Sequence, residues 1–336
     1  MGSRLLMIQM CCLYGHRQEG DKIVKVIGKK LLSMIVTLLA VSFLVFVAFA
    51  VIPGDPALAQ LGTEATPERV EALREEMGLN QPLLISYGSW ILNMLKGDMG
   101  TSYSYSMPVS GMIAEKIPIT ITMSILAFSL MVLIAIPLGL YTAKHEGGAV
   151  DHAVTTINQV IMAVPPFFSG ILITLVFGLI LKLFTPGGYI SYKQDFWGFV
   201  GYLIFPAFAI ALPKAAMTVK LLRSCLIEEM SQDYARTAYS RGNSTHEVMY
   251  RHLLKNAMIP VITFLGMTLA DIVAGSIVIE QVFSIPGLSR ILLTSISNRD
   301  YPVVQAIIVL LAFLVIVINN IVDLIYKKID PRVRVE

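Results

Sequence analysis

The chain has 336 residues, of which 55% are apolar and 15% are charged, and its mean hydropathy is +0.71. This balance excludes an ordinary soluble domain. The net charge of +3 is small and comes from a few basic segments, so it does not indicate a nucleic-acid-binding protein.

Six apolar runs are long enough to cross a hydrocarbon core of about 30 Å, which takes roughly 20 helical residues. Because lipid offers the backbone no hydrogen-bond partners, each run is predicted to be a helix. The sequence therefore predicts an all-α polytopic membrane protein with six transmembrane helices, near residues 31–52, 117–141, 154–184, 199–219, 258–279 and 303–326.

Basic residues are concentrated before the first run, between the fourth and fifth runs, and after the sixth, whereas the segment after the first run is acidic. The positive-inside rule then places both termini in the cytoplasm. The predicted organisation is a cytoplasmic N-terminal segment (1–30), a first span (31–52), an extracytoplasmic segment (53–115), a five-helix domain (116–326) and a cytoplasmic tail (327–336). All three cysteines fall on the reduced side, which predicts no disulfide framework.

Helix signals also occur outside the apolar runs. Thr66 followed by Pro67 predicts a helix start, with Gly78 as its end, and residues 83–95 have near-helical spacing suited to a membrane interface. Pro165 and Pro166 interrupt the third run and predict a bend there. A packing kink is the favoured interpretation of that bend, and a bend lining a translocation path is the alternative.

The most informative stretch is the polar interruption at residues 231–260. Asp233 suits the first turn of a short helix, in which Ala235 and Ala238 leave one face small. Gly242 can end that helix in a left-handed conformation, and the capping box at residues 244–247 starts a second helix at once. Since a plain connection needs only a few residues, this pattern favours a docking element for a soluble partner over a solvated loop.

Ionisable and small residues within the runs have two interpretations each. Asp271 either lines a path or pairs with a cationic group of a substrate, or it is satisfied by a neighbouring subunit or by backbone donors. The small residues around it favour packing against a partner permease, with path lining as the alternative; they are Gly266, Ala270, Ala274 and Gly275. Lys214 and Lys220 are predicted to reach towards the membrane interface.

The sequence contains no phosphate-binding loop, no metal-ligand pattern among its five histidines and no nucleophile signature. It therefore predicts neither enzymatic activity, nor a bound metal, nor a cofactor.

The polar interruption resembles the "EAA" coupling motif of ABC importer permeases, in the variant found in dipeptide, oligopeptide and nickel importers. The motif also carries Arg236, Arg251, Asn256 and Pro260, although Asp233 stands where its name has Glu and Tyr239-Ser240 replaces a more basic pair. The similarity extends along most of the chain, through residues 52–56, 73–79, 96–100, 136–139, 280–283, 286–287, 299–305, 322–324 and 330–332.

The resemblance implies the type I importer fold and a first-type permease subunit in a bacterial inner membrane. Its implied partners are a second related permease, two cytoplasmic ATPases that hydrolyse ATP, an external substrate-binding protein and the lipid bilayer. Residues 228–259 would bind in a cleft of an ATPase.

Di- or oligopeptides are the expected substrates, with nickel complexes or another small solute as the alternative. An ion-coupled secondary transporter is the rival class, because such proteins carry charged sites near the membrane midplane; a purely structural scaffold would not explain the docking element.

Overall fold

The computed structural model describes residues 28–49, 51, 56–61, 65–77 and 80–329, with the side chains of residues 56, 59, 60, 76, 274, 277 and 323–329 excepted. Residues 52–55 of the first resembling segment, Gly78, and the motif at residues 330–332 lie outside the described residues. The chain divides into two compact units, residues 1–52 and 53–336. The first unit contributes one described helix, α1 (Gly28–Phe49), which is apolar and long enough to cross a membrane.

In the second unit every described regular element is helical, which confirms the all-α prediction. The short helices come first, and α3 begins at Pro67 after Thr66 as predicted. The elements in chain order are α2 (Pro56–Leu61), α3 (Pro67–Glu76), α4 (Leu83–Leu95), α5 (Val109–Lys144), α6 (Ala149–Ala163), α7 (Pro166–Ile173), α8 (Phe196–Met230), α9 (Asp233–Ser240), α10 (Thr245–Glu247), α11 (Leu254–Val282), α12 (Leu288–Ser297) and α13 (Tyr301–Ile329).

Five helices among the described residues are long and apolar enough to span a membrane, and a sixth span exists if α6 and α7 count as one. The predicted bend at residues 165–166 is confirmed and is a full break, because α6 and α7, with its π-helical extension Thr174–Ile180, meet at 106°. The physical reason is that Pro165 stays extended and Pro166 starts a new helix, so the backbone hydrogen-bond ladder is not continued between the two helices.

The fifth span also differs from its predicted start. It begins at Thr245 in α10, continues through a π-helical segment (Val248–Leu253) and runs on through α11 past Pro260. The second helix of the polar interruption is therefore the first part of a membrane-spanning helix and not a separate short helix. Hydropathy missed this because the polar residues of α10 lie before the apolar part of the same helix.

The core has two clusters, both centred on the packing of α5 against α8. One cluster contains Met131, Leu222 and Leu226 and extends to α9 and the start of α11. The other contains Met123, Leu203 and Phe283 and extends to α7 and the end of α11. The long helices thus connect the α9 end of the unit to its opposite end.

At that opposite end, the buried Glu280 side chain holds the start of α12. Its carboxylate accepts hydrogen bonds from the Thr120 hydroxyl (2.8 Å), the Ser289 amide (2.8 Å) and the Arg290 amide (3.3 Å). The Thr120 oxygen accepts from the Leu288 amide at 3.2 Å. A carboxylate at the first turn of a helix is stabilised by the free amides there, so Glu280 joins α5, α11 and α12.

Asp300 has a similar role at the start of α13. Its buried carboxylate accepts hydrogen bonds from the Ser102 hydroxyl and from the amides of Tyr103 (3.0 Å) and Ser104 (3.3 Å). Burial, together with the nearby Asp300 charge, raises the pKa of Tyr103 to about 12. The loop before α5 is thereby fixed to the loop between α12 and α13.

Two of the small residues of α11, Gly266 and Ala270, pack within their own chain and not against a second permease. A Cβ atom added at Gly266 would lie 2.0 Å from Val322 Cγ1 of α13, and Ala270 is buried. The predicted preference for packing against a second permease is therefore wrong for Gly266 and Ala270, which face their own chain. Gly275 is exposed, with nothing within 4 Å of an added Cβ.

Gly266→Ala is expected to destabilise the chain by about 1–3 kcal/mol, because α13 must move to admit the methyl group. Gly275→Ala is the matched control, since it adds the same group on the same helix into open space. The melting temperatures of the purified variants in one detergent check this. Equal melting temperatures would show that α11 and α13 do not approach as closely as described.

Candidate functional site

The connection between α8 and α11 begins with a tight turn. α8 ends at Met230, and Gln232 is extended and precedes the first residue of α9. After α9, Gly242 has φ +85°, a left-handed conformation in which a side chain is strained. The Asn243 side chain donates to the Ala238 carbonyl at 3.0 Å and satisfies one acceptor at the end of α9.

The predicted capping box at Ser244 is confirmed. The Ser244 hydroxyl accepts from the Glu247 amide at 3.3 Å, and the Glu247 carboxylate accepts from the Ser244 amide at 3.0 Å. These reciprocal bonds satisfy amides that a helix start leaves free. The turn at Gly242 and the capping box therefore end α9 and start the next helix within a few residues.

The inner face of α9 is part of the core. Ala235 and Ala238 are buried in the cluster that also contains Leu226 of α8 and Val248 and Leu253 of the π-helical segment. Because alanine side chains are short, the α9 backbone lies close to both neighbouring helices. The two alanines therefore pack α9 closely against its own chain.

The outer face of α9 is polar and exposed. The Asp233 side chain is fully exposed and the Arg236 side chain is 75% exposed, with 3.9 Å between their charged atoms. Thr237 and Ser240 are also exposed, and Arg241 follows at the end of the helix. An exposed ion pair contributes little to stability, so this face offers charged and hydrogen-bonding groups to a partner.

Three side chains connect α9 to the two long helices beside it. The Tyr234 hydroxyl donates to the Glu229 carboxylate of α8 and accepts from the Asn256 amide of α11 at 3.1 Å. Asn256 therefore lies beside α9, as a residue of the same site should. Arg251 and Pro260 are exposed further along the path from the π-helical segment into α11.

Sequence reasoning missed an ion pair between α6 and α8. The Arg223 guanidinium binds both oxygens of the Asp151 carboxylate at 2.6 Å, and Asp151 also accepts from the Gly147 amide at 3.0 Å. Asp151 is only 2% exposed, so its charge depends on these partners. The pair fixes the start of α6 to α8 near α9; the only sequence signal was an acidic residue in the first turn of a helix.

A second ion pair lies within the spans. Lys214 Nζ of α8 is 3.0 Å from Asp271 Oδ2 of α11. Asp271 is therefore satisfied by its own chain, and the expectation that Lys214 reaches towards the membrane interface is wrong. The physical reason is that an unpaired charge within lipid costs more than a pair, and these two helices bring the groups together.

Comparisons with known proteins identify the family of the chain. Residues 135–335 match the model of the family described as "Binding-protein-dependent transport system inner membrane component", and residues 23–124 match the model of that family's N-terminal region.

Curated relatives match over nearly their whole length. A putative peptide transport system permease protein of Brucella abortus is 38% identical, covering 91% of this chain and 98% of that protein. The oligopeptide transport system permease protein AppB of Bacillus subtilis is 34% identical, covering 91% and 98%. The glutathione transport system permease protein GsiC of Salmonella choleraesuis is 35% identical, covering 91% and 97%.

The fold and the connection with α9 define a multi-pass permease of a bacterial inner membrane. More particularly, the chain belongs to the family of binding-protein-dependent transport system inner membrane components, the permease subunits of ABC importers.

Proposed function

We propose that this chain is one of two related permeases in an ATP-driven importer of di- or oligopeptides. Two ATPases bind it and its partner from the cytoplasm, and an external binding protein delivers the peptide. The observation that carries the proposal is the exposed polar face of α9, which is seated by Ala235 and Ala238 on helices that cross the membrane.

The proposed mechanism transmits movement without chemistry in this chain. When the ATPases close on ATP, the polar face of α9 moves with them. Its buried face and the contact of Tyr234 with Asn256 pass that displacement to α8 and α11. Packed helices shift between discrete arrangements, so the path opens alternately to the two sides of the membrane.

The proposed orientation places α9 and both chain ends in the cytoplasm. Its support is the distribution of basic residues, because Lys and Arg flank spans on the cytoplasmic side. The end of the unit that contains Glu280 and Asp300, opposite α9, then faces outwards, where the binding protein docks.

Peptides are proposed as substrates because relatives that match over nearly the full length are named for peptide, oligopeptide and glutathione transport. The external binding protein selects among peptides. Nickel complexes are the alternative substrate, and they enter the experiment below as a competing ligand.

The experiment is uptake into proteoliposomes. The complete complex, with both permeases, two ATPases and the binding protein, is expected to accumulate labelled peptide only with ATP inside the compartment that holds the ATPases. The chain alone is expected to transport nothing. Uptake by the lone chain along an ion gradient would contradict the proposal, and uptake of nickel complexes without peptide would correct its substrate.

A further inference from the structure

The Lys214–Asp271 pair lies at a surface position where the packing of the helices does not require charged side chains. Lys214 is near the middle of α8 and Asp271 is within α11, so neither group is near a helix end where water would solvate it. The Lys214 side chain is 27% exposed and the Asp271 side chain 66% exposed. The pair is therefore at the surface of the packed helices, in the part of the chain that crosses the membrane.

Asp271 is part of an exposed stripe along α11. Pro260, Met267, Gly275 and Val278 share its side of the helix at helical spacing, and all are exposed. The stripe from Pro260 to Val278 measures about 27 Å at 1.5 Å per residue, close to the ~30 Å of a hydrocarbon core. It begins near Asn256, beside α9.

Three surroundings are available to this stripe: lipid, a partner helix or a water-filled path. Lipid is unfavourable, because an exposed ion pair in hydrocarbon keeps little of its solvation. A partner helix is also unfavourable. The two charges already pair with each other, and a partner helix would remove the water that solvates them without providing new hydrogen bonds. A path filled with water leaves the pair solvated.

We propose that Lys214 and Asp271 line the translocation path and bind the charged end groups of the passing peptide. Asp271 accepts hydrogen bonds from the terminal ammonium group, and Lys214 donates to the terminal carboxylate. This inference rests on the proposed peptide-importing function and adds a binding site for zwitterionic ligands within it.

The pairing of the two charges suits a site through which a ligand must pass. A single unpaired charge would hold an oppositely charged ligand and repel a similarly charged one. A neutral pair exchanges its mutual bond for two bonds to a zwitterion, so binding stays weak enough for release. Both ends of the ligand gain a partner, and neither protein charge is left alone.

The test uses single and double variants in the complete transporter with a free-ended tripeptide as the probe. Lys214→Met and Asp271→Leu are each expected to lower ATP-driven uptake about tenfold, the effect of losing one charged hydrogen bond. The double variant Lys214→Met/Asp271→Leu removes both charges and so leaves no unpaired group. It is expected to assemble with the ATPases as the unmodified complex does, while its uptake is reduced about a hundredfold, because both charged hydrogen bonds to the peptide are lost.

The double variant separates binding from structure. If the pair only stabilises the fold, removing both charges should restore uptake, and that result would overturn the inference. Lys193→Met is the matched control, because Lys193, in the loop before α8, forms an exposed 2.9 Å pair with Glu115 near the start of α5, and uptake should be unchanged. If the unmodified complex imports no peptide, the proposed function itself fails; if it does so and the double variant matches it, only the inference fails.

Water access gives an independent readout. In a chain whose Cys11, Cys12 and Cys225 are replaced by serine, Gly275→Cys should react with a membrane-impermeant thiol reagent and be protected by bound peptide. Leu133→Cys, on an exposed apolar position of α5, should stay unreacted. An unreactive Gly275→Cys that cross-links to the second permease would place the stripe in an interface and overturn the inference.

Discussion

Gly242→Pro is expected to abolish ATP-driven uptake in the assembled transporter. Proline fixes φ near −65°, whereas Gly242 has φ +85°, and the substitution also removes the amide that donates to the Tyr239 carbonyl at 2.9 Å. The turn after α9 cannot form, at a cost of about 3 kcal/mol or more. The packing of α9 against its own chain should then be lost, and fewer ATPases should co-purify with the permeases.

Gly242→Ala is the control for that prediction. Nothing lies within 4 Å of an added Cβ, so the only cost is the left-handed backbone, about 1–2 kcal/mol. Uptake should fall modestly and ATPase binding should persist. If Gly242→Pro supported normal uptake with ATPases bound, the geometry of this turn would have no part in coupling.

Glu280→Ala is expected to disrupt the end of the unit opposite α9. The substitution leaves the amides of Ser289 and Arg290 and the Thr120 hydroxyl without their acceptor, and hydrogen bonds to a charged group contribute about 1.5–3 kcal/mol each. The start of α12 should detach from α5 and α11. A lower yield of folded chain and a lower melting temperature in detergent are the measurements.

Glu280→Gln tests whether the acceptor itself matters. Its amide oxygen can still accept from the Ser289 amide, and its amino group can donate to the Thr120 oxygen, so much of the network should survive. The glutamine variant should lie between the unmodified chain and the alanine variant in stability. Equal stability of all three would show that Glu280 does not hold α12.

Hydropathy was sufficient to predict most of the spans, because the length and polarity limits of a lipid bilayer are strict. The same rule failed at Pro165, where the apolar run is continuous in sequence but the helix axis turns by 106°. Hydropathy also misplaced the start of the fifth span, since the polar α10 belongs to the same helix as the apolar α11.

The capping box and the turn at Gly242 could be predicted because their bonds join residues a few positions apart. The ion pairs could not, because they depend on how distant helices are rotated about their axes. Lys214 and Asp271 are separated by 57 residues, and Arg223 and Asp151 by 72. Ala235 and Ala238 were correctly singled out as small, but only the packed structure places them against their own chain.

The central claim is that the exposed face of α9 docks on an ATPase, and cross-linking tests it most directly. In the cysteine-replaced chain, Thr237→Cys on that face should form a disulfide or short-linker bond to an ATPase in the intact complex, with an efficiency that changes when ATP binds. Leu84→Cys, exposed on α4, should form none. Failure of Thr237→Cys to reach any ATPase in a complex that imports its substrate would contradict the claim.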